Sequence, residues 1–184
     1  MHYKTINELA PLIKSGELSP AELTQSQLDR IEKLDGTLKA YATVTAEQAM
    51  QEAQQAEQQI AKGHYRGPLH GIPIAVKDLC DTTGTRTMGG SYVFRDNIPT
   101  RDATVVKKLR DAGAISLGKL NMTEGAMGGY NPQFDIPENP WRQSHWAGAS
   151  SSGSGSSTAA GLAYGTLGSD TGGSIRHPAA VCGV

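Results

Sequence analysis

The chain has 184 residues, with 17 lysines and arginines against 18 acidic residues and a net charge of -1. Hydrophobic residues make up 38%, and no apolar run is long enough to span a bilayer, so neither a broad basic field for nucleic acid nor a membrane helix is present. The N-terminus, "MHYKTINELAPLIKSGE", has no secretory leader pattern, and Cys80 and Cys182 make no disulfide framework, which points to a cytoplasmic, reduced protein.

The first third reads as helix. Thr5 with Glu8, and Ser19 with Pro20 and Glu22, each set an N-cap residue three positions before an acid. Leu23, Leu28, Ile31 and Leu34 then recur at roughly helical spacing until Gly36, where the helix is expected to stop. "TAEQ", Thr45 to Gln48, opens a third helix with Ala49, Ala53, Ala56 and Ile60 as its narrow apolar face and Gly63 at its end. Residues 1–65 therefore form a helical segment with no catalytic spacing inside it.

From residue 66 the texture changes. The apolar run Ile72 to Val76 predicts a buried strand with Lys77 at its carboxyl end. A helix over 103–112 and a second buried strand over 115–119 follow, and strand, helix, strand with short joints indicates α/β architecture. Beyond a loop containing Pro132, Pro137 and Pro140 comes "GASSSGSGSS" (148–157), then "TAAGLAYGTLGSDTGGSIRHPAA". The first half of the latter suggests a small-residue helix, and its "GTLGSD" a strand. Trp141 and Trp146 flank the Ser/Gly stretch and are expected to anchor the core, and Cys182 is expected to be packed.

"GASSSGSGSS" has the composition of a flexible linker, but only 27 residues follow it, too few for a second domain. A second bare cluster, "TGGSI" (171–175), lies close behind, and two such patches brought together would make a site lined by peptide N–H groups. The Walker pattern, the dinucleotide fingerprint and the Gly-x-Ser-x-Gly elbow are all absent. His2, His64, His70, His145 and His177 give no local support for a histidine-based triad, and metal-ligand spacing is not seen. What remains is a serine hydrolase with another base. Lys77, directly after "IPIAV", fits, because desolvation lowers a lysine's pKa and frees the neutral amine to take a proton. A snorkelling lysine at a strand end fits the same residues.

"GIPIAVKDL", "DATVVKKLRDAGAISLGKLNM", "NPW" and above all "LGSDTGGSIRHPAAVCGV" resemble, in the same order, the amidase signature family. The resemblance implies an α/β fold, a mixed β-sheet core covered by helices. Residues 66–184 would be the N-terminal part of that core, after the helical segment 1–65, in one incomplete domain. It implies an amidohydrolase that cleaves a carboxamide C–N bond through an acyl-enzyme, using a Ser–cis-Ser–Lys triad. Carried onto this chain, Lys77 is the base, Ser150 the bridging serine in a cis peptide and Ser174 the nucleophile, with the serines 24 positions apart as in the family. The backbone N–H groups of Thr171, Gly172, Gly173 and Ser174 would form the oxyanion hole, and Met127, Gly128 and Gly129 would line the substrate's approach. Asp170 would orient the nucleophile loop or simply form a turn, and Arg176 would pair with an acid such as Asp170. The implied partner is a small-molecule amide, with no metal, no organic cofactor and no direct nucleic-acid contact; family members are often homodimers.

Ala149 and Ser152 stand where the family usually has glycine, and a shift of one residue would make Ser151 the bridging serine instead. Family members run to well over twice this length, so later strands and much of the acyl pocket are expected to lie outside these residues. Two rival readings stand beside the amidase. One is the glutamine-hydrolysing component of a tRNA-dependent amidotransferase, from whose usual loop "GGYNPQFDIPENPW" departs. The other is an inactive fragment or binding module.

Overall fold

A computed structural model describes residues 1–184. Helices α1 (Ile6–Ser15), α2 (Pro20–Leu38) and α3 (Ala46–Ala61) occupy most of the first third. At the start of α1 the Thr5 hydroxyl accepts the Glu8 N–H, and the Glu8 carboxylate accepts the Thr5 N–H at 2.7 Å, a reciprocal capping box. The Ser19 hydroxyl accepts the N–H groups of Ala21 and Glu22 at the start of α2. Gly36 does not stop this helix. α2 runs to Leu38 and ends where Lys39 turns to φ 55°, with the Asp35 carboxylate accepting the N–H groups of Ala40 and Tyr41. One glycine costs a helix interior only about 1 kcal/mol, less than these terminal bonds and the packing supply. Thr45 precedes α3 as expected, but its hydroxyl donates to the Ser116 carbonyl rather than capping the helix.

Four strands form one mixed sheet: β1 (Tyr41–Val44), β2 (Pro73–Lys77), β3 (Ile115–Leu120) and β4 (Thr166–Leu167), in the order β1-β3-β2-β4. β2 runs parallel to both β3 and β4, while β1 pairs antiparallel with β3. Two of the three predicted strands are the centre of the sheet, and the strand expected in "GTLGSD" is the edge strand β4. Sequence patterning gives no sign of β1: "YATV" is too short to signal itself and exists through its pairing with β3. It also joins the helical segment to the sheet, and one core cluster draws Leu28, Ile31 and Ala49 together with Ala75, Ile115 and Leu162. α4 (Thr104–Asp111) links β2 to β3.

Residues 152–157 of the Ser/Gly stretch are helical. The expected small-residue helix after it is displaced forward into α5 (Ser152–Ala159), built only of Ser, Gly, Thr and Ala and almost wholly buried. Serine and glycine are poor helix formers, so packing decides this element. A Cβ on Gly153 would lie 2.4 Å from the Ala40 carbonyl oxygen and 2.6 Å from that of Asn121. The bare face thus lets α5 lie directly on the backbone of its neighbours. A short helix, α6 (Arg176–Cys182), which sequence patterning does not suggest, packs on its other side. Cys182 is buried as expected. The tryptophans are not core anchors: Trp141 and Trp146 are 73% and 52% exposed, and both sit beside α6. There the Trp141 Nε1 donates to the Cys182 carbonyl at 2.7 Å, and the Trp146 ring stands edge-on to His177.

Candidate active site

β2 delivers Lys77 to the carboxyl end of a central strand, the place where open α/β sheets hold their ligands. Its side chain is 0% exposed. The Nζ lies 2.6 Å from the Ser150 Oγ, 2.9 Å from the Ser151 Oγ and 2.9 Å from the Ser169 Oγ. Ser150 and Ser151 immediately precede α5, and Ser169 follows β4. The Ala149–Ser150 peptide bond is cis. Burial pushes the Lys77 amine down to about 8, against weaker opposing fields from Cys80 and Asp170.

Proton accounting separates the three hydroxyls. An ammonium would spend its three N–H donors on three oxygens, but a neutral amine has two hydrogens and a lone pair, so one serine must turn its proton toward the nitrogen. Ser151 donates to the Ser169 carbonyl at 3.2 Å and accepts the Ser169 N–H. The Ser150 and Ser169 hydroxyls have no other partner within the chain, and Ser150, at 2.6 Å against 2.9 Å, is the hydroxyl best placed to hand its proton to Lys77.

Ser174 lies half-buried on the turn between β4 and α6. Its carbonyl accepts the Ser151 N–H at 3.1 Å, which joins the two Gly/Ser patches through the backbone. Its Oγ makes no hydrogen bond within the chain. The turn is organised by Asp170, whose carboxylate accepts the N–H groups of Gly173, Ile175 and Arg176 at 2.8, 2.9 and 3.1 Å. The Arg176 guanidinium adds two further bonds and, with those N–H groups, holds the Asp170 carboxyl far below the usual carboxylate range. Orientation and pairing are therefore one device. The Gly173 N–H is committed to Asp170, while those of Thr171, Gly172 and Ser174 have no partner within the chain.

Met127, Gly128 and Gly129 lie on an exposed loop, with Met127 74% exposed. The loop is tethered to the serine stretch by the Thr123 N–H on the Ser150 carbonyl and the Tyr130 hydroxyl on the Gly148 carbonyl. None of the three hydrogen-bonds to Lys77, Ser150 or Ser174. No group of three or more His, Cys, Asp or Glu side chains is arranged to hold a metal ion.

Sequence reasoning passes over two features. Ser169, inside "LGSDT", gives no signal that distinguishes it from a turn serine. Lys119 of β3 is a second lysine with 0% exposure, facing the Asp78 carboxylate at 3.7 Å. Its one trace is a lysine embedded in the apolar strand "AISLGKL".

Residues 22–184 match the family model for amidases. The chain belongs to the amidase family. AmiD of Mycobacterium tuberculosis, which carries an amidase name, is 55% identical over 179 residues, 97% of this chain and 38% of AmiD. The A component of the glutamyl-tRNA(Gln) amidotransferase of Chromohalobacter salexigens is 50% identical over 100% of this chain and 38% of its own length. Among solved structures, the native peptide amidase from Stenotrophomonas maltophilia matches with a TM-score of 0.93 and 37% identity, over 98% of this chain and 39% of that one. This amidase-family chain thus spans well under half the length of these relatives. Its mixed sheet and covering helices are the amidase signature fold over that part.

Proposed function

We propose that this amidase-family chain carries the reacting centre of an amidohydrolase that cleaves a carboxamide C–N bond through an acyl-enzyme on Ser174. The observation that carries the reading is a wholly buried lysine amine, pushed down by burial to about 8, that lies 2.6 Å from the Ser150 hydroxyl. Neutral Lys77 takes a proton from Ser150, and Ser150 takes one from Ser174. The Ser174 Oγ then bonds to the substrate carbonyl carbon. The open N–H groups of Thr171, Gly172 and Ser174 receive the developing oxyanion. Collapse breaks the C–N bond, the relayed proton passes to the leaving amine, and water attacks the acyl-enzyme through the same relay to release the acid. Met127, Gly128 and Gly129 line the amide's approach, and the scheme uses no cofactor. Two unpaired cysteines support a cytoplasmic setting, and no helix is long and apolar enough to cross a membrane.

A second reading rests on the 50% identity to the amidotransferase component, which would make glutamine the substrate. The 55% identity to AmiD favours the free-standing amidase. Labelling the full-length gene product with a fluorophosphonate probe tests the chemistry. Labelling is expected in the wild type, lost in Ser174→Ala and weakened in Lys77→Ala. No labelling of a folded full-length protein would refute the hydrolase reading. Ammonia release from glutamine against release from simple carboxamides separates the two substrates.

A further inference from the structure

The proton relay leaves a second buried charge pair unused. Lys119 stands on β3 in register with Val76, the residue before Lys77 on β2. Its ammonium donates to the Cys80 carbonyl at 2.5 Å and to the Thr87 Oγ1 at 2.7 Å, and faces the Asp78 carboxylate at 3.7 Å. All three partners belong to the segment 78–88, which begins at the residue after Lys77. That segment is folded back on the strand ends by the Cys80 N–H on the Lys77 carbonyl, the Met88 N–H on the Asp78 Oδ2 and the Asp78 N–H on the Leu120 carbonyl. The Asp78 Oδ1 has no hydrogen-bond donor, and the Lys119 ammonium faces it at 3.7 Å.

Two enclosed charges are a costly way to fill space, and apolar residues of the same volume would often be more stable. The pair must therefore be weighed by what it holds. It holds the first turn after Lys77, at both ends.

We propose that Lys119 and Asp78 are positioning residues that clamp the turn leaving Lys77 and so set where its amine stands against Ser150. A base displaced by about 1 Å loses on the order of a hundredfold in rate, and a turn that opens admits water to the amine. The charged groups concerned are few. Cys80 and Asp170 act on Lys77; Asp78, Cys80 and Asp81 act on Lys119; Arg86 acts on Asp78. Burial pushes the Asp78 carboxyl up to about 6 and lowers the Lys119 amine, as expected for charges held away from water.

The inference rests on Lys77 acting as the base, so its test reads Lys77 directly as well as turnover. Full-length protein carrying 13Cε-labelled lysine is titrated by NMR, with Lys77→Met assigning the Lys77 signal. Lys119→Met and the charge-free double variant Lys119→Met/Asp78→Leu are compared with wild type. In both, kcat is expected to fall on the order of a hundredfold with KM changed less than about threefold, and the Lys77 titration to move up toward the ordinary lysine value. Should the single variant fail to fold, the double variant, which leaves no unpaired charge, gives the reading. A folded double variant with wild-type kcat and an unmoved Lys77 titration would overturn the clamp. If the wild type hydrolyses no amide, an upward shift of Lys77 still sustains the clamp and the failure falls on the proposed chemistry; an unmoved Lys77 then rejects the clamp too.

Discussion

Asp170 and Arg176 meet as a two-pronged pair: the Arg176 Nε donates to the Asp170 Oδ2 at 3.1 Å, and the Nη2 to the Oδ1 at 2.8 Å. The same carboxylate gathers three backbone N–H groups of the turn that carries Ser174. Arginine fixes the carboxylate plane, and the carboxylate fixes the turn. Asp170→Ala is expected to cost on the order of a hundredfold in kcat/KM, because the turn loses its centre. Arg176→Lys, which keeps the charge but loses the fork, is expected to cost less. Steady-state kinetics of the two variants check the order.

Activity should follow the neutral fraction of Lys77. Below about pH 8 the amine is mostly protonated, so kcat/KM is expected to rise about tenfold per pH unit and level off above that value. The sign for stability runs the same way. The folded-state pKa is lowered from 10.5 to about 8, so between those values the unfolded chain holds a proton that the folded chain has shed. Stability contributed by this group therefore rises with pH across that window. Urea unfolding of wild type against Lys77→Met, repeated along the pH series, should show a steeper slope in the wild type than in the variant, where the lowered Lys119 amine still contributes.

The two neighbouring serines should behave differently. Ser150→Ala removes the hydroxyl that can pass its proton to Lys77 and is expected to lower kcat by about a thousandfold. Ser151→Ala removes a hydroxyl already committed to the Ser169 carbonyl and is expected to cost only about tenfold. Equal losses in single-turnover acylation rates would refute the proton accounting.

Gly153→Ala tests why the helix is bare. The new methyl would fall 2.4 Å from the Ala40 carbonyl oxygen, and the contact is with backbone that cannot swing aside. Destabilisation of at least about 2 kcal/mol is expected, measured by urea unfolding. Gly36→Ala, on the open side of α2 with nothing near its Cβ position, should instead stabilise by about 0.5–1 kcal/mol.

Local chemistry alone determined much of this protein. Thr5 with Glu8 and Ser19 with Pro20 announce two helix starts because capping needs only neighbours in sequence. The apolar runs before Lys77 and through Leu117 announce the central strands because a strand buried on both faces needs no partner to be recognised. Lys77 stands out locally because it ends an apolar run, whereas Ser150 and Ser174 are singled out only by the resemblance to the amidase signature family. Tertiary structure decided the rest. β1 exists through β3, and α2 passes Gly36 because its end is set by Asp35 and the strand that follows. α5 is a helix against its own propensity because only a bare helix fits on the Ala40 and Asn121 backbone. The contact of Lys77 with three hydroxyls, the loss of the Gly173 N–H to Asp170, and the placing of Lys119 beside Asp78 all depend on the folded chain. Distances between such groups are fixed by how strands stack, turns close and helices pack, and no spacing in the sequence encodes them.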